Sequence, residues 1–490
     1  MEDSVLAIDF GTSYTVCCFE RSGNCEFCSI NNGQHAVPSI VAFEPGINYG
    51  IDSGGGIYLR HLKTLIGETL GSLEKSGIDL NSFGMPLVEV DGTIGVEAKG
   101  TFHSVPDLIT GFIKSMKEEG EMQAGRSFKN IIITVPARFT QIQRSIYKSA
   151  VEEAGLSVIK LINEPTAAVF EFLSKYNNIK DSTVLVYDLG GGTFDCSLVQ
   201  VEGAKTISVL FSDGSSNIGS EMFDELVLKY IIEEITKKGL QCVSRDKRRR
   251  NWSEILQRIK EAKETIASRT LDIDVDSIIS DHTEFQVRIT ESILYKILES
   301  TINETLGIVK RMLTNMNMTQ SSIDYVALIG GGSLLPIVKQ RVCAYFQESR
   351  VIESANPKEI VASGALKSYH QNDIIFKSVT YYNYSLRLYN GKCYTIIPRG
   401  TIIPMDKPRR EKFVPQRSGQ EKVETAFYQG LSDDSNKNEL VQTIEFDITR
   451  LGKSKAFYIE LFVDESDMVT IKAYESEPNE TIYTDKVERP

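Results

Sequence analysis

The sequence predicts an α/β unit of two similar lobes facing each other across a cleft, followed by an all-β sandwich. Three observations predict it. Over residues 1–370, short apolar β-like runs alternate with long amphipathic helical stretches, the α/β signature. Within that block a strand–Asp–glycine-turn–strand pattern occurs twice, at Asp9-Phe-Gly-Thr12 and at Asp188-Leu-Gly-Gly-Gly-Thr193. From residue 380 to 490 the character changes to strand-like segments broken by Gly, Asn, Asp and Pro, as in a sandwich.

The first block shows its elements clearly. KNIIITVPA (Lys129–Ala137) reads as a buried strand, and RFTQIQRSIYKSAVEEAG (Arg138–Gly155) as a helix. In the latter, Ile142, Ile146, Ala150, Val151 and Ala154 form one apolar stripe. A third glycine segment follows at Ile329-Gly-Gly-Gly-Ser-Leu-Leu-Pro336. In the second block, KCYTIIP, KVETAFYQG, QTIEFDI, AFYIELFV and MVTIKAYES are the expected strands. Between the blocks, HQNDIIFKSVT (His370–Thr380) reads as a linker with an apolar centre, assigned to residues 371–379. No helical segment is expected after the β block.

Bulk properties bound the function. A chain of 490 residues is too long for one core. A formal net charge of -12 disfavours a general nucleic-acid binder, because a polyanion is repelled unless a local basic patch wins. The acidic start MEDSVLAIDF is not a signal segment, and no apolar run reaches membrane-span length. A cytoplasmic protein with no membrane partner is expected. The eight cysteines, several in apolar runs (Cys17, Cys18, Cys196), read as small core residues. Cys25 and Cys28 have CxxC spacing, but no second pair of zinc-ligand spacing accompanies them.

The glycine turns carry the chemistry. Glycines let backbone N–H groups converge on an anion with no Cβ in the way. Two such hairpins on opposite lobes can grip a polyphosphate from both sides. Asp9 and Asp188, at the strand ends, can hold a hydrated Mg²⁺, and Thr12 and Thr193 can bond phosphate oxygens. No GxxxxGK[ST] motif occurs, so this is not a Walker site.

The residues that carry a family resemblance are AIDFGTSYT (Ala7–Thr15), KTLIG (Lys63–Gly67), ITVPARF (Ile133–Phe139), LINEPTAA (Leu161–Ala168), VYDLGGGTFD (Val186–Asp195), GSSNIGSEMFD (Gly214–Asp224), IGGGSLLP (Ile329–Pro336) and NPKEIVASGA (Asn356–Ala365). In order and spacing, the chain resembles the seventy-kilodalton heat-shock chaperone family of the actin-like ATPase superfamily. The β block matches more loosely, through PRGTIIP (Pro398–Pro404) and FYQG (Phe427–Gly430). A sugar or acetate kinase on the same fold would not need the β block.

The resemblance implies an actin-like ATPase fold around a nucleotide cleft, with ATP or ADP and Mg²⁺ as cofactors. Asp9 and Asp188 would organise the metal through water. Gly11, Thr12, Ser13, Tyr14, Gly190, Gly191, Gly192 and Thr193 would hold phosphates. Gly219, Lys263, Gly330, Gly331 and Gly332 would complete the nucleotide site. Lys63 would reach the γ-phosphate and Glu164 would orient or activate the attacking water, with Asp188 and Thr193 in the catalytic set. Pro136 and Arg144 would relay nucleotide state to the linker. Leu386, Tyr389, Phe413 and Val423 would lie near the peptide groove, with Thr425 where a branched apolar residue is usual.

The departures are as informative. The family clamps adenine between two arginines, whose positions here are Glu264 and Leu334. Ala267 replaces an expected serine, Lys358 an expected acidic residue, and the linker reads Asp373-Ile-Ile-Phe-Lys377-Ser378, with its second charge reversed. A lidless member, without the family's α-helical lid, is expected. The phosphate end looks intact and the adenine end rebuilt. Two readings follow. One is a regulatory, stress-response-type chaperone at the ribosome, paired with a J-domain protein and served by a nucleotide-exchange factor, with weak or absent ATP hydrolysis. The other is an active ATPase chaperone that grips unfolded or nascent polypeptide. The basic run Arg245–Arg250 and the cluster Lys407–Arg410 are solvated faces or contacts to ribosomal RNA or an acidic partner.

Overall fold

The computed structural model describes residues 4–29, 33–51, 58–78, 80–175, 181–203, 205–215, 217–265, 270–354, 356–370, 374–415, 420–449, 456–474 and 481–486. Two sheets in the first block share one strand plan. In the first, the order is Ser157–Asn163, Asn130–Val135, Val5–Phe10, Tyr14–Arg21, Asn24–Phe27. In the second it is Val351–Glu353, Tyr325–Ile329, Ser182–Leu189, Phe194–Glu202, Thr206–Ser215. Each has an antiparallel three-strand meander beside two parallel strands. The echo read in the sequence is therefore a duplicated architecture.

Strand periodicity explains the layers. Leu6, Ile8 and Phe10 point into the first lobe's outer core, while Val5 and Ala7 point the other way. Leu185, Tyr187 and Leu189 likewise enter the second lobe's core, and Val184 and Val186 face back. The two inward faces share one core with the helices Glu164–Lys175 and Ile360–His370. Those helices meet closely at Gly364, where a Cβ would fall 1.7 Å from the Ala167 carbonyl oxygen. This shared core sets the two glycine hairpins opposite one another.

The stripe at residues 138–155 forms the helix Gln141–Glu153, shorter at its start because Thr140 caps it with Gln143 in a capping box. Ile142, Ile146, Ala150, Val151 and Ala154 are all buried.

The β block forms two four-stranded antiparallel sheets. One runs Cys393–Ile397, Asn383–Arg387, Lys422–Gly430, Glu439–Asp447, and the other Arg409–Phe413, Phe457–Val463, Val469–Tyr474, Thr481–Lys486. Their inner faces close over a core that includes Tyr384, Phe427, Phe446, Phe457 and Leu461.

The linker centre differs from a free connector. Ile375–Val379 is a strand that pairs in parallel with Thr206–Ser215 at the edge of the second lobe's sheet. Ile402–Ile403 of the β block then pairs with it. An apolar strand beside an open sheet edge gains ladder hydrogen bonds, which satisfies both. Asp373, at the linker's acidic start, lies outside the described residues. Among the described residues no helix is long and apolar enough to cross a membrane.

Candidate nucleotide site

The two hairpins are built alike. Phe10 pairs with Thr15, and the Gly11 N–H donates to the Tyr14 carbonyl at 3.0 Å. Leu189 pairs with Phe194, and the Gly190 N–H donates to the Thr193 carbonyl at 3.0 Å. Gly11–Tyr14 and Gly190–Thr193 are thus matched four-residue loops. They touch: a Cβ on Gly191 would fall 1.6 Å from Ser13 Oγ. The third glycine segment packs on the end of the Asp188 strand. Gly330 has φ +78, and a Cβ there would lie 2.4 Å from the Leu189 carbonyl oxygen. Gly219 caps the helix Ser220–Lys237 against the second loop.

Asp9 and Asp188 end equivalent strands. Thr134 Oγ1 donates to Asp9 Oδ1 at 2.7 Å. Lys63, in the turn Leu62–Leu65, is buried and donates to Glu164 Oε1. Glu164 opens its helix directly after the strand that ends at Asn163. Burial, against the pull of Lys63, pushes the Glu164 carboxyl up to about 7. Burial, then Glu164, Asp195 and Asp9, holds Asp188 well above the usual carboxylate range. Burial also raises Asp9, opposed by Lys63 and Thr134. Asp195 pairs with Arg138 at 2.8 Å.

This set tests whether a divalent cation fits. Asp9, Glu164, Asp188 and Asp195 influence one another, and among the described residues the cations in ion-pair contact with them are Lys63 and Arg138. Buried carboxylates in excess of cations are stabilised by an added positive ion. In charge, the residues present therefore fit Mg²⁺; the two glycine loops are in contact at Ser13 and Gly191.

Across the cleft, Glu221 accepts from Ser13 Oγ and pairs with His61 Nδ1 at 2.9 Å. Against the opposing effect of burial, His61, Ser13 and Lys260 hold Glu221 down at about 2. Lys260 and Lys358 place their ammonium groups 4.6 and 4.2 Å from the Tyr14 ring centroid. Lys263 is buried and paired with Asp224 at 2.7 Å. Leu334 is 55% exposed. Glu264 lies on the helix Arg249–Thr265, with its side chain outside the described set, as is Ala267 altogether. Lysines thus gather at the Tyr14 hairpin, and Leu334 stands exposed where the resemblance expects an arginine.

With this geometry in place, comparison with known proteins settles the lineage. The Hsp70 protein family model matches residues 5–486. The chain belongs to the Hsp70 family. Hsp70 proteins bind ATP and combine an actin-like two-lobed unit with a β-sandwich, the architecture seen here. This Hsp70 chain is 28% identical over 485 residues to a heat shock protein of Pyricularia oryzae, covering 93% of the chain and 76% of the relative. It is 30% identical over 471 residues to a ribosome-associated molecular chaperone of Eremothecium gossypii, covering 90% and 74%. A Saccharomyces cerevisiae protein of that same description is 29% identical over 475 residues, covering 91% and 75%.

The remaining residues that the sequence singles out in this Hsp70 chain fall as follows. Arg144, 1% exposed, donates to Asn163 Oδ1 at 3.0 Å and pairs with Asp467 of the sandwich at 3.2 Å. The Pro136 carbonyl accepts from the Phe139 N–H at 3.1 Å, in the turn that leads to Arg138 and the helix of Arg144. Leu386 and Val423 are buried in the sandwich core, Phe413 is half-buried against it and Thr425 is half-buried. Tyr389 is 84% exposed, apart from them. Arg245 is tied to Glu225 at 2.6 Å, and Arg248 donates to the Ser277 and Ile279 carbonyls. Arg410 pairs with Glu460 at 2.6 Å. Arg245, Arg248 and Arg410 are thereby committed to intramolecular contacts, while Lys247, Lys407 and Arg409 are exposed.

Sequence reasoning missed Arg138, Asp195, His61, Glu221, Gln141 and Lys260. Asp195 had a signal, since it closes the DLGGGTFD motif. Gln141 had none: its side chain donates to Tyr384 Oη at 2.9 Å and accepts from the Val469 N–H at 3.0 Å, contacts made across hundreds of residues.

Proposed function

We propose that this chain is a nucleotide-dependent chaperone of the ribosome-associated kind, with residues 1–370 as nucleotide unit, 371–379 as linker and 380–490 as peptide-binding-like sandwich. It acts on nascent polypeptide in the cytosol, with a J-domain partner and a nucleotide-exchange factor, and hydrolyses ATP slowly. The names of the relatives, ribosome-associated molecular chaperones, support the ribosome.

The observation that carries the reading is the buried Lys63–Glu164 pair set between Asp9 and Asp188. Bound Mg²⁺ supplies neutralisation of phosphate charge. Asp9 and Asp188 would hold it, and the loops Gly11–Tyr14 and Gly190–Thr193 would bind the phosphate oxygens. Glu164, raised toward neutrality, accepts a proton from water more readily than an ordinary glutamate. Lys63 donates toward charge that develops on phosphate oxygen. Slow turnover is supported by the departure at exposed Leu334, where the resemblance expects an arginine.

A second reading, a fully active peptide-binding chaperone, is favoured by one observation. The Arg144–Asp467 pair and the docked strand Ile375–Val379 tie the sandwich to both lobes, so lobe motion reaches it. Single-turnover ATP hydrolysis by the wild type and Lys63→Ala, with nucleotide binding measured alongside, tests both. Slow turnover abolished by the substitution supports the first reading, and rapid, peptide-stimulated turnover the second. Binding with no turnover at all removes the catalytic role from Lys63 and Glu164. Ribosome cosedimentation that disappears at moderate salt would count against the ribosomal assignment.

A further inference from the structure

The hairpin that carries Ser13 continues into a strand pair rich in thiols. Tyr14–Arg21 holds Cys17 and Cys18, and the edge strand Asn24–Phe27 with its next residue holds Cys25 and Cys28. Cys18 pairs with Phe27, so Cys17 stands opposite Cys28, and the Cys28 N–H donates to the Cys17 carbonyl at 2.9 Å. Directly opposed antiparallel residues have Cα atoms about 4.5–5.5 Å apart, inside the range a disulfide spans. The two sulfurs are already 3.3 Å apart.

Successive strand side chains point to opposite faces. Cys17 and Cys28 lie in the first lobe's outer core, whereas Cys18 and Cys25 belong to the core between the sheets. The CxxC pair Cys25 and Cys28 is therefore split across the sheet and cannot chelate one ion. Cys18 and Cys25 share a side-chain hydrogen bond, but they are diagonal, since Cys25 pairs with Glu20. Diagonal Cα atoms are about 7–8 Å apart, too far for an unstrained bridge.

We propose that Cys17 and Cys28 are an oxidation site, forming a disulfide when the chain meets a peroxide. One thiol reduces hydrogen peroxide, becoming a sulfenic acid and releasing one water. The second thiol displaces the hydroxyl, forming the S–S bond and releasing a second water. Two thiols lose two electrons and the peroxide gains them. Burial raises the Cys17 thiol, so it is a poor first nucleophile. Cys28 follows Asn24–Phe27, the last strand of its sheet among the described residues, so opening of that edge gives peroxide access to it. The product staples the strand leaving the Gly11–Tyr14 loop to its neighbour.

The full chain is treated with hydrogen peroxide, quenched, unfolded, alkylated and peptide-mapped. Cys18→Ser/Cys25→Ser keeps Cys17 and Cys28, and should lose two alkylatable thiols and yield the linked peptide. Cys18→Ser/Cys28→Ser keeps Cys17 and Cys25, and should retain both. In the wild type, fragmentation between Cys17 and Cys18 should assign the link to Cys17. Full alkylation of Cys17 and Cys28 in the first variant overturns the proposal. So does a Cys17–Cys25 link of equal yield in the second, or the same preference in the urea-unfolded chain, where strand geometry is gone.

Discussion

Arg144 in the first lobe and Asp467 in the sandwich form an ion pair 3.2 Å long, with both side chains almost wholly buried. Around it, Arg144 also reaches Asn163, the residue before Glu164. A contiguous set of contacts therefore runs from Lys63 through Glu164 and its neighbour to the sandwich. Removing one partner leaves the other charge buried and uncompensated, which costs about 3–5 kcal/mol. Arg144→Ala should lower the denaturation midpoint, Asp467→Asn should lower it less because burial already favours the neutral acid, and the double variant should lose less than the sum. A double-mutant cycle by urea unfolding checks this, and strict additivity would refute the coupling.

Glu164→Gln should keep nucleotide binding and lower single-turnover hydrolysis by roughly 10²–10⁴-fold, the usual contribution of a general base. Equal rates in the variant and wild type would remove Glu164 from the chemistry.

Stability should depend on pH in a defined direction when nucleotide and metal are absent. Glu164 rises from 4.5 to about 7, and Asp224 and Asp467 from 3.8 to about 6, in each case mainly through burial. Folded values above unfolded ones mean stability present below about 4 and lost as pH rises through 6 to 7. Glu221 works oppositely: held at about 2, it contributes above 4.5 and fails as pH falls toward 2. The thermal midpoint should therefore fall between pH 5 and pH 8, and Asp224→Asn should flatten part of that slope. Calorimetry across the range reads it, and a midpoint rising with pH would contradict it.

Gly191→Ala places a Cβ against Ser13 where the loops meet. Overpacking of this kind costs about 1–3 kcal/mol. The loops should separate, the Ser13–Glu221 hydrogen bond should break, and nucleotide affinity should fall. Isothermal titration of ATP checks the affinity, and an unchanged value would mean the loops do not meet around phosphate.

Leu334→Arg restores a planar cation at the exposed base end. One cation–π contact is worth about 0.5–2 kcal/mol. Affinity for ATP should rise while affinity for inorganic triphosphate stays constant. A rise in both would indicate a general charge effect.

The parts legible in the sequence were those governed by local rules. The continuous apolar runs in VLAIDF and STVLVYDL already encode burial on both faces, and the glycines of the two hairpins already encode close backbone approach. The apolar stripe from Ile142 to Ala154 marked a helix, whose start at the Thr140 cap the structure supplied. These depend on residues a few positions apart. Periodicity was silent on pairs such as Arg138–Asp195, and on the fate of Ile375–Val379, because an apolar run does not state which edge it will join.

By itself, the sequence determined two matched lobes with a glycine hairpin on each, because backbone geometry and side-chain direction along a strand are local. Only the tertiary structure decided that Glu221 bridges the lobes to Ser13 and His61, that Lys260 and Lys358 bracket the Tyr14 ring region, and that Arg144 is neutralised by a sandwich carboxylate. Each of those rests on desolvated charges meeting across long chain separations. Their energies depend on burial and partner distance, and folding alone sets both.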